Sequence, residues 1–187
     1  MRSVMLAMPV AWSAMRATRE GGSFLCFCDH RQIASLSPGI ESSGLRYTNL
    51  IVWDKLNAGL GSGFRAQHEC VLHFTRGSLD ASACDLGNVL RHARVHHSER
   101  EHQTEKPVAL MRDLVRVVAP VGGLIVDPFA GSGPTLEAAL REGIRAIGIE
   151  RDPARCEKIR RRCAAAERDA DWRAAAEQMD LFGDGAR

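Results

Sequence analysis

At 187 residues, 45% hydrophobic and 26% charged, the chain has the length of one domain with a buried core and the composition of a soluble globular protein, not a disordered or fibrous one. Its formal charge of +2 neither requires nor excludes a polyanionic partner. The six cysteines, at 26, 28, 70, 84, 156 and 163, contain no Cys-x-x-Cys, which argues against a disulfide scaffold or a zinc ribbon and suits a reducing cytoplasm.

The opening MRSVMLAMPVAWSAM sets one arginine before a mostly apolar run with small residues, as an export signal does. Met5, Met8 and Trp12 also recur at helical spacing ahead of Arg16 and Arg19, so a half-buried helix over residues 3 to 19 explains the stretch as well. After a Gly21-Gly22 turn, SFLCFCD reads as a strand apolar on both faces, which places it inside a sheet covered on both sides, with Cys26 and Cys28 as buried strand residues rather than a metal pair. Residues 31 to 43 predict a helix, YTNLIVWDK a second strand, Leu56 to Gly63 a glycine-rich loop, and QHECVLHFTRG a third strand. Residues 77 to 103 are polar, rich in arginine and histidine, and carry no sustained apolar period.

Order returns at EKPVALMRDLVRVV, where Val108, Met111, Leu114, Val115 and Val118 form a helical stripe with Pro107 in its first turn. GLIVD is then a strand, PTLEAALREG a helix, AIGIE a strand, and residues 153 to 179 one or two helices. Alternating strand and helix predict an α/β protein with a parallel-type sheet. No segment after the first approaches membrane-spanning length, and no membrane partner is expected.

VDPFAGSGPT at 126 to 135 is where the chemistry concentrates. Gly131 and Gly133 stand where a strand hands over to a helix, so the backbone can bend sharply and approach a ligand without a Cβ in the way. A dinucleotide fingerprint would need a third glycine where Leu136 stands, and a P-loop would need Gly-Lys-Ser/Thr where Gly133-Pro134-Thr135 stands. Neither pyrophosphate reading fits. Glu150, at the end of the next strand, is placed to accept both ribose hydroxyls, so an adenosine without pyrophosphate matches, as in S-adenosylmethionine.

DPFAGSGPT followed by AIGIERDP, and preceded by HQTEKPVAL, resembles the permuted class of DNA amino-methyltransferases, which modify adenine N6 or cytosine N4. In that family a Thr-x-Lys-Pro helix start lies directly before the Asp-Pro-Phe-x-Gly-x-Gly cofactor turn, and the likeness runs over about residues 15 to 163. The resemblance implies a Rossmann-like methyltransferase fold with permuted strand order and an incomplete sheet. It implies a methyltransferase domain over 1–163, with a target-recognition-like insert at 77–103, a cofactor-binding half at 104–163, and a helical tail over 164–187. Asp127, Pro128, Phe129, Gly131 and Gly133 would cradle S-adenosylmethionine, Glu150 would bind its ribose, and Thr104 with Lys106 would lie near its methionine part, where lysine suits a carboxylate. Gln103 stands where the family has proline and Pro134 where it has threonine; the second change removes a hydroxyl and a backbone donor, so weaker cofactor binding is expected.

The family also carries Asp/Asn/Ser-Pro-Pro-Tyr/Phe/Trp, which polarises the amine and stacks on the flipped base. Prolines here stand at 9, 38, 107, 120, 128, 134 and 153, and no two are adjacent. In the permuted order that motif precedes the strand matched by SFLCFCD, so the expectation is a family member that starts too late, with no catalytic residue assigned, its sheet left with an uncovered edge or closed up over the gap, and autonomous activity in question.

The interval before Lys106 recognises the target in the family, which makes double-stranded DNA the implied partner, with Arg91, Arg94 and Arg100 as contacts and Arg65 as a further phosphate contact; a solvated polar loop is the bland alternative. His92 and His96 could share a helix face as metal ligands, but no third ligand of plausible spacing is evident, Cys70 and His73 belong to the strand, and no metal is expected. Gln178 to Phe182, QMDLF, resembles the motif by which bacterial DNA-processing proteins dock on the replication sliding clamp, though an apolar helix end folding onto the core explains it too. The reading is a cytoplasmic site-specific DNA methyltransferase of a phage-like or restriction-modification setting. Its rivals are a non-catalytic cofactor- or DNA-binding remnant or half of a split enzyme, and an unrelated nucleotide-binding α/β protein.

Overall fold

The computed structural model describes residues 2–79, 86–95, 105–120 and 122–183, with side chains described over 9–79, 86–95, 105–120 and 122–169. The chain divides into two compact units, Met1–Arg94 with Arg116–Pro120, and Val95–Val115 with Val121–Arg187.

The first unit holds α1 (Arg2–Ala17), β1 (Ser23–Cys28), a 3-10 turn at His30–Gln32, α2 (Ile33–Glu41), β2 (Arg46–Asp54), β3 (His68–Thr75) and β4 (Val89–Arg91). Its four strands run in the order β1-β3-β2-β4. β3 is antiparallel to both β1 and β2, and β4 is parallel to β2, so the sheet is mixed where alternation predicted a parallel type. The loop from β2 to β3 carries no helix, whereas a parallel neighbour is usually reached through a helical crossover.

Two expectations need correction here. Among the described residues β1 pairs with β3 alone and forms the edge of its sheet, whereas its continuous apolar run predicted an interior strand. β3 occupies that interior place, buried on both faces from Cys70 to Thr75. On one face Cys70, Leu72 and Phe74 pack with Cys28, Leu36, Ile40, Leu45 and Ala11. In α1 it is therefore Ala11 and Met15, four apart, that meet the core, and Trp12 is 48% exposed rather than on the buried stripe. Cys28 is buried and its thiol is pushed up to about 12, chiefly by that burial, while Cys26 is half-buried in the same strand. The strand β4 emerges inside the polar 77 to 103 interval, where no period announced one; its pairing with Val52–Asp54 and a Trp53 Nε1 hydrogen bond to the His92 carbonyl (2.7 Å) hold it.

The second unit contains most of α3 (Val108–Val118), then β5 (Leu124–Asp127), α4 (Pro134–Arg141), β6 (Arg145–Gly148) and α5 (Pro153–Gly183). α3 buries Leu110, Met111, Leu114 and Val115; Leu110 lies outside the expected stripe, Val108 and Val118 of that stripe are only half-buried, and Pro107 precedes the first helical residue instead of occupying the first turn. β5 and β6 form a parallel pair whose register sets Asp127 against Gly148. One face packs Ala146 against Ala130, Leu136 and Ile159 of the helical layer, and the other leaves Leu124, Val126, Ile147 and Ile149 roughly half exposed. No helix among the described residues is long and apolar enough to cross a membrane.

On the second face of β3, His73 is buried and its Nε2 is hydrogen-bonded to Ser23 Oγ at 2.9 Å. Burial lowers its pKa below the ordinary 6.5, so the folded protein keeps the ring neutral while the unfolded chain protonates it. Its contribution to stability is therefore complete above 6.5 and shrinks as pH falls through the window between 6.5 and the lower folded value. Melting temperature should drop more steeply between about pH 7.5 and 5.5 in the native protein than in His73→Gln; equal slopes would remove His73 as the cause.

Candidate functional site

The parallel pair ends at Asp127 and Gly148, and the two loops that follow remain laced together. Ile149 N–H donates to the Asp127 carbonyl (2.8 Å), Ala130 N–H returns to the Ile149 carbonyl (3.0 Å), and Gly133 N–H closes the turn on the Ala130 carbonyl (2.7 Å). The Asp127 side chain accepts the Phe129 N–H at 3.0 Å, so this carboxylate organises the turn from within. Pro128 and Phe129 are left exposed at its rim, Phe129 at 72%.

Gly131 (φ +57°) and Gly133 (φ +85°) both lie in the left-handed region. They need glycine for different reasons. A Cβ on Gly131 would meet only the Phe129 carbonyl oxygen at 3.8 Å, which leaves open space for a ligand, whereas one on Gly133 would press on Ile159 at 3.1 Å. Gly133 also forms the N-cap of α4 with Pro134 directly after it, so the donor that proline lacks is one the first helical turn leaves unpaired in any case.

A third glycine escaped the sequence reading. A Cβ on Gly148 would lie 2.6 Å from a Leu136 methyl and 3.1 Å from Ala130 Cβ. The close strand-to-helix approach that a dinucleotide fingerprint secures with a glycine at Leu136's place is secured here from the strand side. Its signal was available in AIGIE, where a lone glycine interrupts a strand pattern.

Glu150 stands two residues beyond β6, not on the strand itself. Its Oε2 accepts the Gly131 N–H (3.1 Å) and its Oε1 the Asp152 N–H (3.0 Å). Those backbone donors, Asp152 first, keep its carboxyl below the usual carboxylate range, so it is ionised beside the turn. Of the remaining cofactor candidates, Lys106 lies half-buried just ahead of α3, and Thr104 falls outside the described residues.

Behind the turn runs an ion-pair network that sequence reading missed. Arg162 of α5 donates through Nε to Glu137 of α4, through Nη1 to Glu105 (2.7 Å), and through the same nitrogen to the Ser132 carbonyl (3.1 Å). Burial opposes the charge of Arg162, yet its hydrogen bonds to the Glu137 and Glu105 carboxylates outweigh it and hold its pKa above the ordinary arginine value. Glu137 also accepts from Arg141 (2.8 Å), and the Glu105 side chain is only 3% exposed.

The candidate DNA contacts Arg65, Arg91 and Arg94 belong to the first unit. Arg91 ends β4, exposed and 3.8 Å from Asp54, and Arg94 donates to the Asn57 carbonyl at 3.2 Å. Arg65 is exposed in the loop from Lys55 to Gln67, whose ends are tied by Lys55 N–H to the Gln67 carbonyl and Gly59 N–H to the Ala66 carbonyl, both 2.9 Å. The structure thus brings Arg91 and Arg94 to one end of the sheet, beside the loop that carries Arg65; Arg100 is outside the described residues. His92 sits in an irregular segment rather than on a helix, and His96 is not described. Cys70 and His73 point to opposite faces of β3, three residues apart. Gln178 to Phe182 lie in the part of α5 whose side chains are not described.

A sequence model of the N6_N4_Mtase family of DNA methylases matches residues 7–161. The chain belongs to this DNA methylase family. Among curated relatives, YubD of Escherichia coli (strain K12) is 27% identical over 142 residues, covering 76% of this chain and 62% of that protein. The DNA adenine methyltransferase YhdJ of the same strain is 39% identical over 67 residues, 34% of this chain and 23% of its own length. This chain therefore spans less than two thirds of either curated relative. The fold matches the M1.HpyAVI complex with SAM at a TM-score of 0.73, 20% identical over 83% of this chain and 80% of that one. It matches the cytosine-N4-specific PvuII DNA methyltransferase at 0.73 as well, 17% identical over 85% and 70% of the two chains. The α/β methyltransferase fold read from the sequence is thus the fold observed.

The contrast between the turn glycines can be measured. Gly143 also has a left-handed φ (+68°) but has nothing within 4 Å of its missing Cβ. Alanine at Gly143 should cost about 1–2 kcal/mol of unfolding free energy for the backbone alone. Alanine at Gly133 should cost measurably more because Ile159 crowds it, and equal urea midpoint shifts for the two variants would refute the packing component.

Proposed function

We propose that this protein is an S-adenosylmethionine-dependent DNA amino-methyltransferase acting on adenine N6 or cytosine N4, in a cytoplasmic setting. One observation carries it: an ionised Glu150 held beside an open, left-handed Gly131 at the end of a parallel strand pair. Family membership supports the reaction class, and the solved structures that share the fold include the M1.HpyAVI complex with SAM and the cytosine-N4-specific PvuII DNA methyltransferase.

The donor set fits the cofactor. Gly131 offers space for an atom to approach its backbone, exposed Phe129 offers an aromatic face beside it, and the Glu150 carboxylate offers acceptors for vicinal hydroxyls. A pyrophosphate would find no N–H at Pro134 in the first turn of α4, a donor that a cationic sulfonium does not need. When bound, S-adenosylmethionine supplies an electrophilic methyl group for an exocyclic amine nitrogen. Asp127, Pro128, Phe129, Gly131 and Gly133 would form its cradle, Glu150 would hold the ribose, and Lys106, with Thr104, would face the methionine carboxylate. Arg65, Arg91, Arg94 and Arg100 would meet DNA phosphates or guanine edges. No two prolines are adjacent in residues 1–187, and we assign no catalytic group within them.

Calorimetry tests the site. S-adenosylmethionine should bind, and Glu150→Ala should weaken it by at least about tenfold, since each hydrogen bond to an ionised carboxylate is worth about 1.5–3 kcal/mol. No heat at millimolar ligand with folded protein would end the proposal. The reaction itself is read by supplying tritiated S-adenosylmethionine and unmethylated DNA to the protein as its gene encodes it, then digesting to nucleosides: label in N6-methyladenine or N4-methylcytosine is expected, and label elsewhere or nowhere would refute the reaction class.

A further inference from the structure

Glu105 is a carboxylate whose side chain is 3% exposed, immediately before Lys106, and an ionised group so placed is tolerated only when it is paired and hydrogen-bonded. Arg162 Nη1 lies 2.7 Å from its Oε1. The same guanidinium binds Glu137 in the first turn of α4 and the carbonyl of Ser132, the residue between the two left-handed glycines. Three chain segments separated by 25 to 57 positions thus converge on one side chain that touches none of the proposed ligand-binding groups itself.

We propose that Arg162 is a positioning residue that couples the Glu105-Lys106 segment to the cofactor turn, so that the lysine and the turn are held in register to grip the two ends of one ligand. This inference rests on the proposed function, and it adds a residue that acts from behind the site. The physical argument is about what the guanidinium does that a smaller group cannot. Its planar fork reaches two carboxylates and a carbonyl at once. Without it, Glu137 keeps Arg141, but Glu105 loses a guanidinium at 2.7 Å that links it to the turn. The 105–106 segment then relaxes toward solvent or toward its own lysine, and Lys106 leaves the place where it would meet an anionic ligand terminus. The turn with Glu150 loses only one carbonyl contact, because its own backbone hydrogen bonds and the Gly131–Glu150 bond stay intact.

That asymmetry gives a test which a simple brace would fail. S-adenosylmethionine carries the methionine carboxylate, and 5′-methylthioadenosine carries the same adenosine and sulfur without it. Titrating both into the full chain, Arg162→Met should weaken S-adenosylmethionine by roughly tenfold while 5′-methylthioadenosine changes by less than about twofold. Glu105→Gln, which keeps shape and removes one charge, should show the same selectivity at about threefold, and it carries the test if Arg162→Met does not fold by circular dichroism and thermal melting. Equal weakening of both ligands would make Arg162 a structural brace and overturn the inference, and so would no weakening of either. Failure of the native protein to bind either ligand would instead refute the functional reading on which the inference rests.

Discussion

The whole site depends on one constraint: the parallel ladder of β5 and β6 does not stop at the strand ends. It continues as Ile149 N–H to the Asp127 carbonyl and Ala130 N–H to the Ile149 carbonyl, and so forces two loops that are twenty residues apart in sequence to share one backbone course. The first loop can follow that course only by entering the left-handed region twice, at Gly131 and Gly133, where any other residue pays a steric penalty of about 1–2 kcal/mol. The second loop, held by the same bonds, delivers Glu150 to the Gly131 N–H. Neither the carboxylate's position nor the opening above Gly131 would survive if the lacing were lost, because each loop is the other's hydrogen-bonding surface.

The sequence made the local parts of this legible. Two glycines between an apolar run and a helix start, an acid at the strand end and a proline just inside the helix are all cues of short range, and each points to a backbone conformation rather than to a partner. Leu114 and Val115 could be placed on the buried stripe of α3 for the same reason, since helical periodicity is a property of neighbours. What escaped was set by distant partners. β4 has three residues and owes its existence to Val52–Asp54 and to the indole of Trp53, thirty-nine positions from its acceptor. β1 has the composition of an interior strand, yet only its pairing with β3 tells whether the second side is occupied. Trp12 is apolar and correctly spaced, but Ala11 is the residue whose small side chain lets α1 approach the core where α2 also contributes Leu36 and Ile40. Gly148 and Arg162 belong to the same class: their necessity lies in Leu136, Glu105 and Glu137, and no window along the chain contains those pairs.

Charge is distributed around the turn in a way that the near-neutral total conceals. Behind it, Glu105 and Glu137 are sequestered and compensated by Arg162 and Arg141, so that their negative charge is spent inside the protein and projects little field toward the ligand side. In front, Glu150 is only partly shielded and is stabilised by backbone N–H groups, with Arg155 a weaker influence. The difference matters for what each carboxylate can still do. A carboxylate neutralised by a guanidinium fork has its acceptor directions filled, and it serves the fold.

Glu150 is in the other condition. Its Oε2 accepts the Gly131 N–H and its Oε1 the Asp152 N–H, and the Arg151 N–H also favours its ionised form, within the roughly four acceptor directions that a carboxylate offers. These N–H groups fix the plane in which the carboxylate lies and still leave it acceptor capacity. A pair of vicinal hydroxyls presents two donors at a separation that a single fixed carboxylate can span, so the pre-set plane makes a diol the natural complement, at little entropic cost on binding. A phosphate, which brings acceptors and negative charge, finds nothing there to receive it. The preference for a neutral sugar edge over an anionic group follows from where these backbone donors stand, and those are placed by the same lacing that bends the glycine turn.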